Sequence, residues 1–287
     1  MTTSVVKTSF YTSFALIAFA VNSVLCRLAL GEESIDAASF TVIRLISGAI
    51  TLALILKMSG PGNDSTSKGN WVAALMLFLY AITFSLAYIS LDTATGALIL
   101  FPAVQISLVF IALRAGNRLH STEWLGIFIA LAGLVYLMLP NVTTPSLAGF
   151  ILMIIAGISW SIYTIKGKGS QNPLADTAHN FSRTIPLVAA RALITIPYVD
   201  LSIKGVILAV LSGAVASGIG YAIWYTALGG LSAVQAGVVQ LFVPAIAAAG
   251  GVVFMSEVIT LRLIVSAMMI LGGSLIVILG KYYFTRK

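Results

Sequence analysis

The residues best suited to bind a ligand in this sequence are aromatic, amide and hydroxyl side chains placed inside long apolar runs. In the run 205–227, Gly213, Ser217, Tyr221 and Trp224 recur at spacings of four, four and three residues, which places them on one face of a helix. Rings and hydroxyls on one face can line a cavity and hold the apolar or cationic part of a small ligand. Packing between helices, or an aromatic belt at a membrane surface, would give the same pattern.

Further polar and aromatic side chains fall at similar depth in neighbouring apolar runs. Tyrosine and tryptophan rings combine an apolar body with a polar edge, and amides supply both donors and acceptors. Packing between helices is again the alternative for each of them. The candidate cavity residues are Trp160, Trp224, Tyr80, Tyr221, Tyr163, Asn22, Gln105, Gln240 and Arg183.

Two prolines lie close in sequence to the two glutamines of this set. Pro102 precedes Gln105 by three residues, and Pro244 follows Gln240 by four. A proline removes one helical donor and frees a carbonyl, which a membrane helix tolerates where a cavity or a neighbouring helix supplies a partner. We interpret both prolines as helix breaks that could take part in gating, and a simple kink is the alternative.

Three arginines are the only charged residues placed well inside the apolar runs, away from their ends. Arg44, Arg183 and Arg191 would be costly to bury in a bilayer unless they serve a function. Such an arginine could bind a ligand carboxylate, or it could extend to the lipid headgroups. The sequence ranks Arg183 ahead of Arg44 as a ligand contact.

No acidic residue lies deep in an apolar run. A carrier that exchanges protons for cationic compounds needs a carboxylate inside the membrane, so we expect neutral or zwitterionic ligands and weak or absent proton coupling. His120 and His179 lack acidic or cysteine companions, and Cys26 is the single cysteine. We therefore expect no metal site and no cofactor. No Ser/His/Asp set or paired carboxylates occur at membrane depth, so we do not expect an enzyme.

Composition determines which elements must position these side chains. Of 287 residues, 59% are hydrophobic and 9% are charged, too few charges to cover the surface of a soluble protein. A helix of about 20 apolar residues spans a bilayer. The sequence predicts an all-α integral membrane protein with ten transmembrane helices, at roughly 9–30, 37–57, 71–91, 94–114, 122–139, 147–166, 177–197, 205–227, 232–254 and 260–281.

The helix pattern repeats after about 140 residues. We predict a first five-helix repeat at 1–140 and a second at 141–287, together forming one transmembrane domain. Because five is odd, the repeats have opposite orientations, an arrangement that secondary transporters use for alternating access. Small residues such as Gly133 and Gly273 suit close helix contacts within each repeat. With the N-terminus inside, ten basic residues face the cytoplasm and three face the other side, which predicts that both termini are cytoplasmic.

Motifs of the second half carry a resemblance to a known family. They are Ala227-Leu228, Val243-Pro244, Ser256-Glu257 and Gly272-Gly273. The first half departs from the pattern, with Ala87-Tyr88 and Asn117 at the corresponding positions and Pro102 as its proline. The chain resembles the drug/metabolite transporter superfamily, specifically the EamA-type ten-helix bacterial metabolite exporters, and is most similar to YddG-type amino-acid exporters.

The resemblance implies a transporter of the bacterial inner membrane that exports amino acids, including aromatic ones, and related small metabolites by alternating access. A passive channel or facilitator, and a carrier of phosphorylated or nucleotide-sugar metabolites, are the alternatives. The expected partners are a small-molecule substrate and membrane lipid, without nucleic acid. The sequence leaves the oligomeric state open, a monomer included.

Overall fold

The computed structural model describes residues 5–58, 69–114, 120–139, 145–195, 197, 199–231, 236 and 239–284. This part of the chain contains ten helices, as the sequence predicts. They are α1 (Val5–Gly31), α2 (Ala37–Met58), α3 (Trp71–Tyr88), α4 (Thr93–Arg114), α5 (Ser121–Met138), α6 (Leu147–Gly167), α7 (Pro173–Thr195), α8 (Ile203–Leu228), α9 (Val243–Met255) and α10 (Leu261–Phe284). We call the end of the bundle where α1 begins and α10 ends the terminal end, and the other the opposite end.

Capping residues and prolines fix where several helices begin. The side chain of Asn70 accepts hydrogen bonds from the backbone N–H groups of Val72 and Ala73, and α3 begins between them. The predicted start of α7 at residue 177 is wrong by one turn, because this helix begins at Pro173. Asn172 accepts a bond from the Ala175 N–H at 3.1 Å, and a proline is favoured in the first turn of a helix.

The helices have the length and polarity of membrane spans. Helices α1–α6 and α8 are each long and apolar enough to cross a bilayer, and α9 and α10 contribute shorter apolar segments. Helix α7 is less hydrophobic than the other helices and contains Pro186. Large apolar side chains point outward, as lipid-facing residues would. Phe128, for example, is 65% exposed. The chain is a multi-pass membrane protein.

Equivalent helices of the two halves pack against each other in opposite directions. Along α5 and α10, Gly126 faces Gly273 and Val277, whereas Gly133 faces Met269 and Ile270. The residue numbers rise on one helix as they fall on the other. Because α5 and α10 end their respective halves, their antiparallel contact requires that the halves be inverted.

Other helices of each half also pack against helices of the other half. Helix α1 packs on α8 and α9 of the second half, and α6 packs on α3 and α4 of the first. Helix α2 packs on α7, and α4 on α9. The inverted-repeat fold is thus confirmed. The repeat boundary predicted at 140/141 lies outside the described residues, so the division into 1–140 and 141–287 stays a prediction.

The small residues of α5 and α10 serve a different contact from the one expected. A Cβ atom added at Gly273 would lie 2.5 Å from the carbonyl oxygen of Gly126 and 2.6 Å from the backbone nitrogen of Ala130. These glycines therefore bring the two repeats together, whereas the sequence predicts contacts within each repeat. Periodicity identifies a close-packing face, but it does not identify the helix that packs on it.

Gly273→Ala should lower the stability of the bundle, because either α5 or α10 must move to admit the new methyl group. Overpacking of this kind costs about 1–3 kcal/mol. Gly272→Ala is the matched control, since a Cβ at that position meets nothing within 4 Å. Thermal unfolding of the detergent-solubilised protein measures the difference. Equal unfolding temperatures for the two variants would contradict the close contact between α5 and α10.

Candidate functional site

Six aromatic side chains meet at the centre of the bundle. They are only 0–6% exposed, and they come from α1, α3, α6 and α8, so both halves contribute. We call them the aromatic cluster: Phe19, Tyr80, Trp160, Tyr163, Tyr221 and Trp224. Five of the six are predicted cavity residues, and Phe19 is the one that the sequence prediction lacks.

Trp160 and Tyr221 form the middle of the aromatic cluster. Their ring centroids lie 4.7 Å apart, and the Trp160 centroid lies 5.1 Å from that of Tyr80. Phe19 packs edge-on against both tryptophans, at 5.4 Å from Trp160 and 5.5 Å from Trp224. These rings cover one another almost completely, so the described part of the chain holds them closed off from both ends of the bundle.

A chain of hydrogen bonds runs beside the rings and connects four helices. The amide of Asn22 on α1 donates to the Tyr80 hydroxyl on α3 at 3.4 Å. Its carbonyl oxygen accepts bonds from Ser212 at 2.6 Å and from Ser217 at 3.4 Å, both on α8. All four side chains are buried. Asn22 therefore connects the two halves by polar contacts at the place where the rings connect them by packing.

Arg44 completes this chain from α2 and is 1% exposed. Its Nε donates to Ser217 Oγ at 3.0 Å, and its Nη2 donates to the Tyr221 hydroxyl at 2.9 Å. The guanidinium carbon lies 5.3 Å from the ring centroid of Tyr80 and 5.2 Å from that of Phe84, within the range of cation–π attraction. A positive charge is thus held among neutral groups at the centre of the protein.

A π-helical segment in α8 supports this arrangement. Residues Ser212–Ile219 adopt π-helix geometry between two α-helical parts, a distortion that is frequent at functional sites. Gly213 packs against the backbone carbonyl of Arg44 and leaves no room for a side chain. The predicted stripe on α8 is therefore directed inward, since Ser217 and Tyr221 both bind Arg44.

Gln240 and Pro244 lie on either side of the turn that precedes α9. Trp160 Nε1 donates to Gln240 Oε1 at 3.3 Å, and Gln240 Nε2 donates to the Ala236 carbonyl at 3.0 Å. Residues 241–242 form a turn, and Pro244 stands in the first turn of α9. The helical path is therefore interrupted next to an amide that contacts the aromatic cluster.

The structure places Pro102 and Arg183 differently from the sequence prediction. Pro102 lies inside the continuous helix α4, and Gln105 is buried on the same helix, which packs on α6 and α9. The Arg183 guanidinium lies 5.6 Å from the ring centroid of Trp71, about 13 Å along α3 from Tyr80. Arg183 therefore belongs to the terminal end of the bundle, and Arg44 is the arginine at the aromatic cluster.

A cluster of charged side chains lies at the opposite end of the bundle. The Glu257 carboxylate, which follows α9, accepts bonds from the Thr93 N–H at 2.8 Å and the Thr93 hydroxyl at 2.9 Å. It also lies 3.7 Å from Arg27 Nε, and Arg27 in turn pairs with Asp92 at 3.3 Å. We call Arg27, Asp92, Thr93 and Glu257 the opposite-end clamp. The carboxylate caps the positive N-terminus of α4, which favours this position.

Two loops at the same end are held together by Asp36. Partial burial alone would raise the pKa of its carboxyl group, but hydrogen bonds from the Ser39, Asp200 and Ala38 N–H groups outweigh burial and hold the pKa below its usual value. The Ser202 hydroxyl also donates to the Ser34 carbonyl at 2.6 Å. The α1–α2 and α7–α8 loops are therefore fastened to each other.

At the terminal end, the described residues of the equivalent segments of the inverted halves contact each other. The Gly69 N–H donates to Asp176 at 3.3 Å, and the Asn70 N–H donates to Asn180 at 2.8 Å. Ser170 also donates to Asp176. The end of the α2–α3 loop is thus bound to α7 at the terminal end. At the opposite end, the α1–α2 loop is bound to the α7–α8 loop in a comparable way.

Outside the clamp, a polar cavity of about 380 Å³ lies open to the opposite end. Asp92, Glu257 and Arg262 line it together with serine and threonine side chains. Asp92 and Glu257 of the clamp thus form part of the wall of this cavity.

Comparisons with known proteins identify the family. Residues 147–279 match the model of the EamA-like transporter family. An uncharacterized protein of Pseudomonas aeruginosa is 44% identical over 93% of both chains. An uncharacterized transporter of Archaeoglobus fulgidus is 30% identical over 70% of both chains, and the uncharacterized transporter YoaV of Bacillus subtilis is 20% identical over 90% of this chain and 91% of its own.

The fold has a counterpart among solved structures. A protein crystal structure with 18% sequence identity superposes with a TM-score of 0.65 and covers 96% of this chain and 99% of that one. An inverted-repeat bundle with a closed site between its halves is an architecture of secondary transporters. The chain belongs to the EamA-like transporter family. Its sequence motifs resemble those of the same family.

Proposed function

We propose that this transporter exports amino acids, aromatic ones included, and related small metabolites across the bacterial inner membrane by alternating access. The observation that carries the proposal is the buried site itself. There, one arginine, two amides and six aromatic rings from both halves meet behind closed ends. Rings can hold an apolar side chain, and polar groups can orient the charged end of a small ligand.

The closed ends favour a carrier over a passive channel. A channel needs a continuous path, whereas here the clamp and the terminal-end loops bound a site whose rings are almost fully buried. A carrier exposes such a site to one side at a time, and inverted halves supply two related conformations for this purpose. In our proposal both termini are cytoplasmic and the opposite end is periplasmic.

A phosphorylated or nucleotide-sugar substrate suits the site less well. Such anions carry two or more negative charges, which several Lys or Arg side chains would have to neutralise. Among the described residues, Arg44 is the cation that binds to the aromatic cluster. Arg183 lies at the terminal end. One buried positive charge is suited to one carboxylate.

Counterflow by purified protein in liposomes tests the proposal. Liposomes loaded with unlabelled amino acid should accumulate labelled amino acid from a panel that includes phenylalanine and alanine, and the rate should saturate with concentration. A rate that rises linearly without counterflow would indicate a pore. The absence of exchange across the whole panel would contradict an amino-acid substrate.

The same exchange should proceed without a pH gradient. Proton coupling in a carrier requires a group that exchanges a proton for substrate. The hydrogen bonds described at the aromatic cluster involve amide, hydroxyl, indole and guanidinium groups and no carboxylate. We expect counterflow at matched pH to be within about twofold of that with an inward or outward gradient. Loss of exchange at matched pH would place a titrating group in the cycle.

A further inference from the structure

We infer that Arg44 binds the carboxylate of the substrate, and that the substrate's amino group is dispensable for binding. The ligands of this site are then monocarboxylates with an apolar or aromatic body, and amino acids are one kind of them. This inference rests on the proposed function in one respect, that the aromatic cluster is the transport site.

The first observation is a buried cation with spare hydrogen-bonding capacity. Arg44 is 1% exposed, and its Nη1 has no hydrogen-bond partner within the described part of the protein. Buried arginines normally meet a carboxylate, because removing an unpaired charge from water is costly. The ion pairs found between described residues join Arg27 to Asp92 and Glu257 and Lys204 to Glu32, all at the opposite end.

The second observation is the kind of group that Arg44 does contact. Its Nε and Nη2 donate to the hydroxyls of Ser217 and Tyr221, which are neutral. A guanidinium offers five N–H donors in one plane and binds a carboxylate through two parallel bonds. Because Nε and Nη2 already donate to these hydroxyls, Nη1 is the guanidinium nitrogen whose donors remain for a carboxylate.

The third observation concerns the surroundings of an amino group bound here. A carboxylate is the strongest partner for an ammonium ion, and the side chains that bind Arg44 are neutral hydroxyls. The rings of Tyr80 and Phe84 already lie 5.3 and 5.2 Å from the Arg44 guanidinium. A second cation next to them would be repelled by the first at short range. The surroundings of Arg44 therefore complement a negative charge and offer no counter-charge to a second cation.

Wild-type protein tests this inference with ligands that share one body. The series is phenylalanine, phenylpyruvate, phenylalaninamide and phenethylamine. The readouts are thermal stabilisation of the detergent-solubilised protein and competition with labelled phenylalanine in counterflow. We expect phenylpyruvate to bind at least as tightly as phenylalanine, and the amide and the amine to bind at least tenfold more weakly than either.

Each other binding result overturns the inference. Equal binding of the amine and the acids would mean that no carboxylate contact exists, and weak binding of phenylpyruvate would mean that the amino group is required. Absence of binding by the whole series would also overturn it. Binding in the expected order without exchange would contradict the proposed function and leave the inference standing, so the two failures are distinguishable.

Substitution of Arg44 assigns the preference to this residue. Arg44→Gln keeps hydrogen-bonding capacity toward Ser217 and Tyr221 but removes the charge, and it should reduce the preference for phenylpyruvate over phenethylamine at least tenfold. Arg44→Lys should retain most of the preference. Arg183→Gln at the terminal end is the control and should retain all of it. An unchanged preference in a folded Arg44→Gln protein would overturn the assignment, and the ligand series decides alone if that variant does not fold.

Discussion

Replacing Trp160 with alanine should weaken substrate binding about thirtyfold. Trp160 is 3% exposed, lies 4.7 Å from Tyr221 by ring centroids, and bonds to Gln240 through its indole nitrogen. Its removal takes away a ring that would face the substrate and leaves the Gln240 oxygen without this donor. Truncating such a buried aromatic anchor commonly costs about 2 kcal/mol, which corresponds to the thirtyfold change in affinity.

Trp224→Ala should have a comparable effect for a related reason. Trp224 is fully buried against Phe19, and its indole nitrogen has no hydrogen-bond partner in the described part of the chain. A substrate oxygen could accept that bond. Affinity is measured by counterflow and by thermal stabilisation, after expression and monodispersity are confirmed.

Trp124→Ala supplies the matched control for both substitutions. Trp124 lies on α5, is 47% exposed and packs on Phe128 rather than on the aromatic cluster. Losing a lipid-facing ring should leave affinity within about twofold of wild type, because no substrate contact is removed. If all three alanine variants bound substrate equally, the aromatic cluster would be scaffold and the site would lie elsewhere.

The sequence predicts the helices well because the bilayer constrains them strongly. A spanning segment must be about 20 residues long, apolar and helical, so the length of each run nearly determines its ends. One error, the start of α7, falls where the run is least apolar and a proline and an asparagine cap decide the boundary. Local chemistry there overrides hydrophobicity. The ninth predicted run is interrupted by the turn at 241–242, so that α9 begins only at Val243.

The sequence predicts the site only in part, because periodicity gives depth and relative angle but no absolute direction. The stripe of Ser217, Tyr221 and Trp224 on α8 points inward as a unit, since the three share one helix face. Arg44 and Arg183 lie at similar predicted depth from opposite sides, and nothing in either run shows which of the two faces the rings. Depth alone therefore gives no physical reason to prefer one of the two arginines over the other.

The sequence does not predict the role of Phe19 or the opposite-end clamp, for a different reason. Phe19 looks like any apolar residue of α1, and only its packing between two tryptophans distinguishes it. Glu257 stands in a family motif, but its partners Thr93 and Arg27 are distant in sequence. Contacts between helices that are far apart along the chain require the tertiary structure.

Glu257→Gln should open the opposite end and expose the single cysteine of the chain. The Glu257 carboxylate binds the N-terminus of α4 through Thr93 and lies 3.7 Å from Arg27. Neutralising it weakens several charge-assisted bonds, each of which contributes about 1.5–3 kcal/mol. Loss of even one such contribution shifts the balance between closed and open states about tenfold or more.

Cys26 reports this opening without any added label site. It is fully buried, it directly precedes Arg27, and it shares a helix face with Asn22 one turn nearer the centre. A membrane-impermeant maleimide added from the periplasmic side should label Cys26 at least tenfold faster in Glu257→Gln than in wild type. Glu32→Gln is the control, because its exposed pair with Lys204 at the same end adds little to stability and should leave labelling unchanged. Equal labelling rates in wild type and Glu257→Gln would show that the clamp does not hold the opposite end closed.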